Sequence, residues 1–270
     1  MSSLGDIIHT IPIAGILKKK LINAQIDWVV NDEYTCLLNG NPNINKVLAF
    51  KRKQWLSIIG FFRNRREIKK FAMELKNQNY DIVFDFQGLF KSALVVMMAH
   101  GKKNIGFSNA REFASFWYDE KVKGDYNRHA VERYLQLLEV INISCTKEDL
   151  DFFIPSTKKD LDSVTNKLRE LNVKDFAIFC PFTRWKTKKW DEDNFYKLEE
   201  LLNEKGLQVV WVGAKDESLK KPVKNNLIGK LNLLELYELM KLSRFVVTCD
   251  SGAMHIAACA NANIFVLFGP

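Results

Sequence analysis

Apolar and polar positions alternate along this chain with two periods. Short runs rich in β-branched and aromatic residues, at 26–30 (IDWVV), 47–50 and 81–86 (DIVFDF), read as strands. Between the last two, Ile68, Phe71, Ala72 and Leu75 recur at i, i+3, i+4 and i+7, the spacing of one helix face. Residues 89–100 and 129–140 read as further helices, with a short strand at 105–107. Around 152–160 (FFIPSTKKD) a Pro-Ser-Thr cluster and charges break the pattern, which predicts a boundary between residues 1–155 and 156–270. The alternation then resumes. Strands are predicted at 176–180, 207–213, 245–249 and 264–268, and helices at 191–205, 233–242 and 253–260. Strand–helix–strand repetition implies an α/β fold: two Rossmann-like domains with parallel sheets, facing a central cleft. Ligands in such sheets bind beyond the carboxyl ends of the strands, so the strand-to-helix turns are where chemistry is expected.

The first such turn is anomalous. Ser2-Ser-Leu-Gly-Asp6 leads directly into an apolar run, with no strand before it. Gly5 permits a tight turn and a close backbone approach. Asp6 stands at the start of a helix, where it serves equally as a cap or as a general base at a cleft mouth. On local sequence alone the capping role weighs more.

A second turn, Cys180-Pro-Phe-Thr183-Arg184-Trp185-Lys186-Thr187-Lys188-Lys189-Trp190, crowds hydroxyls, cations and indoles together. Thr and Lys there are suited to phosphate oxygens. A solvated basic loop anchored by its tryptophans is the competing reading, and the two weigh about evenly. A third, Thr248-Cys-Asp250-Ser251-Gly252-Ala253-Met254-His255, has a Gly turn opening a helix, whose free N–H groups and dipole suit an anion. It is neither a P-loop nor a G-x-G-x-x-G fingerprint. His255 is either a core histidine or a contact to a diphosphate. Lys51, Arg111 and Arg133 form a dispersed basic set in the first half, each by itself a surface charge.

Composition narrows the partners. With 47% apolar and 27% charged residues the chain is globular, and its formal net charge of +8 favours acidic ligands. Aromatics do not interleave with the basic residues as in single-strand nucleic-acid binders, so a small or lipid-linked acidic ligand is expected and nucleic acid is not. Five scattered cysteines without C-x-x-C spacing indicate neither a zinc site nor a disulfide framework and fit a reducing compartment. No apolar run is long enough to span a bilayer and no secretory leader pattern is visible. The protein is expected to be soluble, or peripheral at most.

Taken in order, seven stretches carry a specific resemblance. They are residues 2–12 (SSLGDIIHTIP), 27–30 (DWVV), 85–92 (DFQGLFKS), 110–112 (ARE) and 129–133 (HAVER), then Thr183 with 188–190 (KKW), and 250–255 (DSGAMH). The chain resembles glycosyltransferase family nine, the bacterial ADP-heptose:lipopolysaccharide heptosyltransferases, over nearly its whole length. It is most similar to the branch that adds the first heptose. The resemblance implies a GT-B fold, with acceptor bound by 1–155 and nucleotide-sugar by 156–270. It implies inverting transfer of L-glycero-D-manno-heptose from ADP-heptose to Kdo of Kdo-lipid A. Asp6 falls on the family's base. Thr183, Lys188, Glu217, Asp250, Ser251, Gly252 and His255 fall on donor-binding positions, Glu217 near the ribose. Lys51, Arg111 and Arg133 fall near positions that hold acceptor phosphates and carboxylates.

No D-x-D pair is placed to hold a metal, so metal-independent transfer without a cofactor is expected. A cytoplasmic protein in peripheral contact with the anionic inner-membrane surface is expected from its charge and substrate class. The branch that adds the second heptose is the alternative within the family, and a non-catalytic nucleotide-sugar or lipopolysaccharide binder is the alternative outside it. The chain departs from the family in three ways. Ser251 stands where Thr is usual, and Arg184 follows Thr183 where a second Thr can occur. A strand before the first turn and helices after Gly269-Pro270 are also missing. A fragment lacking the first strand and the C-terminal tail is therefore expected.

Overall fold

A computed structural model describes residues 3–269. Met1 and Ser2, part of the opening turn motif, and Pro270 of the closing Gly-Pro pair lie outside the described residues. The chain divides into two compact units, Met1–Phe152 and Phe153–Pro270.

The first unit opens with helix α1 (Leu4–Lys20). Ser3 is its N-cap, with its side chain accepting from the Asp6 N–H, while the Asp6 carboxylate accepts in return from the Ser3 backbone. Lys18, Lys19 and Lys20 at the far end complement the helix dipole. Ile7, Ile8, Ile11, Ile13 and Ile16 are all buried, so α1 is apolar around most of its girth. Strands β1 (Asp27–Asn31) and β2 (Lys46–Phe50) pair in parallel from Asp27↔Lys46 to Asn31↔Phe50. Helices α2 (Arg52–Trp55), α3 (Ile58–Arg63) and α4 (Arg65–Asn77) follow.

Strand β3 (Ile82–Asp85), helix α5 (Phe90–Ala99), and strands β4 (Lys103–Phe107) and β5 (Glu120–Val122) come next, and the three strands form a second parallel sheet in the order β3-β4-β5. Helix α6 (Ala130–Glu139) closes the unit. Its Leu137 and Leu138 pack with Ile13, Ile16, Ile105 and Phe107 in one core. Among the described residues β1 pairs with β2 alone and β3 with β4 alone. A cavity of about 640 Å³ lies along both unpaired edges, lined by Trp28 and Val30 on one side, Ile82 and Phe84 on the other, and Ile13 and Leu17 of α1.

The second unit holds α7 (Lys158–Glu170), β6 (Phe176–Cys180), α8 (Glu192–Glu204), β7 (Gln208–Trp211), α9 (Leu233–Leu242), β8 (Val246–Cys249), α10 (Gly252–Cys259) and β9 (Ile264–Leu267). Its sheet is parallel throughout, in the order β7-β6-β8-β9. All five residues of β6 are buried, as a central parallel strand covered on both faces requires. Phe179, Phe195 and Trp211 meet there edge to face, with ring centroids 5.3 to 6.0 Å apart. Because β6 and β8 are neighbours in register (Cys180↔Thr248), the turns after them emerge side by side. Helix α7 occupies sequence that the apolar pattern leaves unassigned. It starts with a capping box between Thr157 and Asp160 and buries Val164 and Leu168.

Candidate functional site

In the first unit, the candidate chemistry gathers around the start of α1. Asp6 is the third helical residue, and Ser3, not Asp6, is the cap. Oδ2 of Asp6 accepts from the Ser3 N–H at 3.0 Å and the Ser3 hydroxyl at 2.9 Å, which fixes the carboxylate in one orientation. Oδ1 accepts from the Tyr134 hydroxyl at 3.4 Å. Tyr134 is buried in α6, and burial followed by the Asp6 charge pushes its phenol up to about 12, so it is a donor at neutral pH. The capping and base readings of Asp6 are thus compatible, since the cap uses one oxygen and leaves the other edge available.

The predicted acceptor cations fare differently from one another. Arg133, next to Tyr134, lies over two rings, 4.6 Å from the Tyr126 centroid and 5.3 Å from that of Tyr134. It therefore stands one residue contact from Asp6. Lys51 instead pairs with Glu67 at 2.5 Å, beside the Trp55 indole, which donates to the same carboxylate at 3.1 Å. That arrangement ties α2 to α4. Arg111 is exposed, and its backbone N–H donates to Gly88 O at 3.0 Å.

A cation that sequence reasoning did not single out interacts with the carboxylate. Lys91, on the first turn of α5, has its ammonium pushed down by burial first and then by the Arg52 charge, with Glu112 and Asp6 pulling the other way. Lys91 therefore lies within electrostatic reach of both Asp6 and Arg52. Lys91 sits inside the DFQGLFKS stretch, and a basic residue opening a helix, where the dipole disfavours it, is the signal that could have marked it.

The turn beneath them is rigid. Asp85 at the end of β3 is buried and accepts from the Tyr118 hydroxyl at 2.6 Å and from the N–H groups of Gln87 and Gly88 at 2.9 and 3.1 Å. Gly88 has φ +62°, and a Cβ there would stand 3.0 Å from the Ala110 Cβ. Glycine is required at this crossing.

In the second unit, the turns after β6 and β8 bring the predicted donor residues together. The Thr183 hydroxyl donates to Asp250 O at 3.1 Å, and Lys188 Nζ meets Asp250 Oδ2 at 2.5 Å. The Thr248 and Ser251 hydroxyls are 3.4 Å apart, and Ser251 is the N-cap of α10, its side chain making no cap hydrogen bond. Gly252 opens α10 and His255 follows at its fourth position, half-buried. A Cβ on Gly269 would strike Thr187 O at 1.8 Å, so the chain after β9 lies directly against the 186–188 turn.

Glu217 lies beyond β7. Its carboxylate accepts from the Ala214 N–H at 2.6 Å, and burial, more than any other cause, raises it above the usual carboxylate range. Lys189 contributes an opposing pull on the same carboxylate, which places it within electrostatic reach of Glu217. Among the described residues no group of three or more His, Cys, Asp or Glu side chains converges as a metal centre.

Chemically, the first unit offers an oriented carboxylate with Lys91 within electrostatic reach and Arg133 over the neighbouring Tyr134 ring, suited to deprotonating a hydroxyl on an anionic molecule. The second offers Lys188, a Thr hydroxyl and a helix N-terminus around one backbone turn, suited to a diphosphate.

Comparison with known proteins gives the family. Residues 68–270 match glycosyltransferase family 9 (heptosyltransferase). The chain is 27% identical over 281 residues to lipopolysaccharide heptosyltransferase 1 of Escherichia coli K12, covering all of this chain and 86% of that one. It is also 27% identical to lipopolysaccharide heptosyltransferase 3 of the same organism, covering 98% of this chain and 79% of that one. The structure of E. coli heptosyltransferase WaaC with ADP-2-deoxy-2-fluoro heptose superposes with a TM-score of 0.78 at 27% identity, covering 98% and 86% of the two chains. The chain belongs to glycosyltransferase family 9 and is a glycosyltransferase of the GT-B fold.

Proposed function

We propose that this glycosyltransferase moves L-glycero-D-manno-heptose from ADP-heptose to a Kdo sugar of the lipopolysaccharide inner core, with inversion at the anomeric carbon. The observation that carries the proposal is the Asp6 carboxylate, oriented by Ser3 and Tyr134, with Lys91 within electrostatic reach and Arg133 over the Tyr134 ring. An acceptor bearing carboxylates and phosphates would be held by those cations with its hydroxyl toward Asp6. In this account Asp6 removes the hydroxyl proton as the oxygen attacks the anomeric carbon and the bond to the ADP oxygen breaks. Lys188, the Thr183 hydroxyl and the N–H groups at Ser251–Gly252 meet the charge that develops on the departing diphosphate. Asp250 orients both Lys188 and the Thr183 hydroxyl. Glu217, beyond β7, is assigned to the donor's ribose. His255 and Gly252 lie on the helix that faces the diphosphate.

The related structure's bound ADP-2-deoxy-2-fluoro heptose supports ADP-heptose as donor. Heptosyltransferases 1 and 3 of E. coli are equally identical to this chain, so the step in core assembly is assigned from the motif set: addition of the first heptose, to Kdo-lipid A. The transfer is proposed to need no metal, since fixed cations and dipoles supply the positive charge. The acceptor's lipid places the enzyme at the cytoplasmic face of the inner membrane, in peripheral contact. The test is ADP release from ADP-heptose with Kdo-lipid A or with its already heptosylated form. Release with Kdo-lipid A alone supports first-heptose addition. Release only with the heptosylated acceptor moves the enzyme to a later step, and donor binding without release from either refutes transfer.

A further inference from the structure

Residues 51–70 (KRKQWLSIIGFFRNRREIKK) join two properties that rarely coexist on a soluble surface. Leu56, Ile59, Phe61 and Phe62 are exposed, Ile59 at 81% and Phe62 at 68%. Between Lys51 and Lys70 stand eight basic residues and one acidic residue, Glu67. Glu67 is taken up by Lys51, and Lys53 pairs with Glu33. Arg63, Arg65, Arg66, Lys69 and Lys70 make no ion pair among the described residues.

The exposure is built and not the result of a loose loop. Trp55 is buried between Phe50 and Phe71, 5.1 Å from each ring, and pins the base. The Ser57 side chain caps α3 by accepting from the Gly60 N–H at 3.0 Å, and the Asn64 amide closes its end on Gly60 O at 2.8 Å. A Cβ on Gly60 would sit 1.9 Å from Gln54 O, so a glycine is required to fold the tip back on α2. On this platform Phe61 and Phe62 stand edge to face, 5.8 Å apart, with no core beneath them. An apolar tip that is held outward costs free energy in water unless something covers it.

We infer that residues 56–62 are a bilayer anchor. The apolar tip enters the headgroup–acyl boundary of an anionic leaflet, and Arg63, Arg65, Arg66, Lys69 and Lys70 hold the headgroups around it. Charge complementarity selects this occupant, because a second copy of the chain would bring an equally basic collar against the first and repel it. An amphipathic segment with aromatics at the tip and arginines around it is the composition that lies in a membrane interface. No helix among the described residues is long and apolar enough to cross a membrane, so the contact is at the surface of the leaflet. The inference rests on the peripheral placement proposed above and names its surface. It requires nothing of the transfer chemistry.

The experiment is co-sedimentation of the full chain with phosphatidylcholine vesicles, with and without phosphatidylglycerol. The expected result is binding that needs phosphatidylglycerol and weakens with salt. Phe61→Ser with Phe62→Ser should weaken it by about tenfold or more. Ile22→Ser, at another exposed apolar position, should leave it unchanged. Arg65→Gln with Arg66→Gln should weaken it and flatten its salt dependence. Phe62→Trp keeps an aromatic tip, and its emission should shift to the blue on binding and be quenched by brominated lipid. Equal binding to both vesicles, or full binding by the Phe61/Phe62 variant, would overturn the inference. So would a chain that dimerises through the tip, with dimerisation but not vesicle binding lost in that variant. Transfer to a water-soluble acceptor analogue without lipid chains reports on the catalytic reading alone, so failure of either proposal is distinguishable from failure of the other.

Discussion

Tyr134 donates its hydroxyl to Oδ1 of Asp6 at 3.4 Å, across 128 residues of sequence, while Ser3 holds the opposite oxygen. The carboxylate is thus oriented by a neighbour three residues away and by a helix from the other end of the unit. Tyr134→Phe removes one of these supports and keeps the packing. It should lower kcat about threefold to tenfold, the value of one hydrogen bond to a charged group, and leave ADP affinity unchanged. The alkaline limit checks the same contact. Because the folded phenol is raised from 10 to about 12, its contribution to stability is complete below pH 10 and is lost as pH rises through about 12. Urea midpoints of parent and variant should therefore differ by a constant amount below pH 10 and converge above it.

Lys188 meets Asp250 at 2.5 Å. If that ammonium receives the diphosphate, Lys188→Ala should weaken ADP binding about tenfold to a hundredfold, the range for a charge-assisted contact. Titration calorimetry with ADP measures this directly. Parent affinity should also fall as salt rises, and the variant's should fall less.

Gly88→Ala places a methyl group against Ala110 at a backbone φ of +62°. The Arg111 N–H is bonded to Gly88 O, so the strain should displace the ARE turn. A loss of more than about 1 kcal/mol in urea stability is expected, with acceptor KM raised and ADP affinity kept.

Much of the architecture was legible in the pattern of apolar residues, and the misses have physical causes. The strand Phe176–Cys180 and the helix Leu233–Leu242 are found as the pattern places them, because one is uniformly apolar and the other periodic and long. Helix α7 was hidden by Pro155 and the charges that follow, although Thr157 and Asp160 carry its capping signature. Strand β5 is three residues long, too short for a period to register. In the sequence, Thr183, Lys188 and Asp250 were legible as residues of two strand-to-helix turns, which the structure brings side by side. Tyr134 was not, since its spacing with Val131 and Leu138 reads as core, and it is indeed buried while its hydroxyl reaches Asp6. Nor was Lys91, whose interaction with Asp6 is a tertiary one between α5 and α1, or the engagement of Lys51 by Glu67.

Transfer should survive chelation. If Lys188, Thr183 and the α10 N-terminus meet the leaving diphosphate, excess EDTA should leave the rate of ADP release unchanged. A rate that falls with EDTA and returns with added Mg²⁺ or Mn²⁺ would place a cation in the donor site.

The most direct test of the account is Asp6→Asn, which keeps the size of the side chain and an oxygen for the Ser3 cap. Acceptor-dependent ADP release should fall about 10²- to 10⁴-fold, the usual contribution of a positioned base. Calorimetry should show ADP binding unchanged. Release at close to the parent rate would mean that another group takes the acceptor proton, and that Asp6 serves only as the capping-box partner of Ser3.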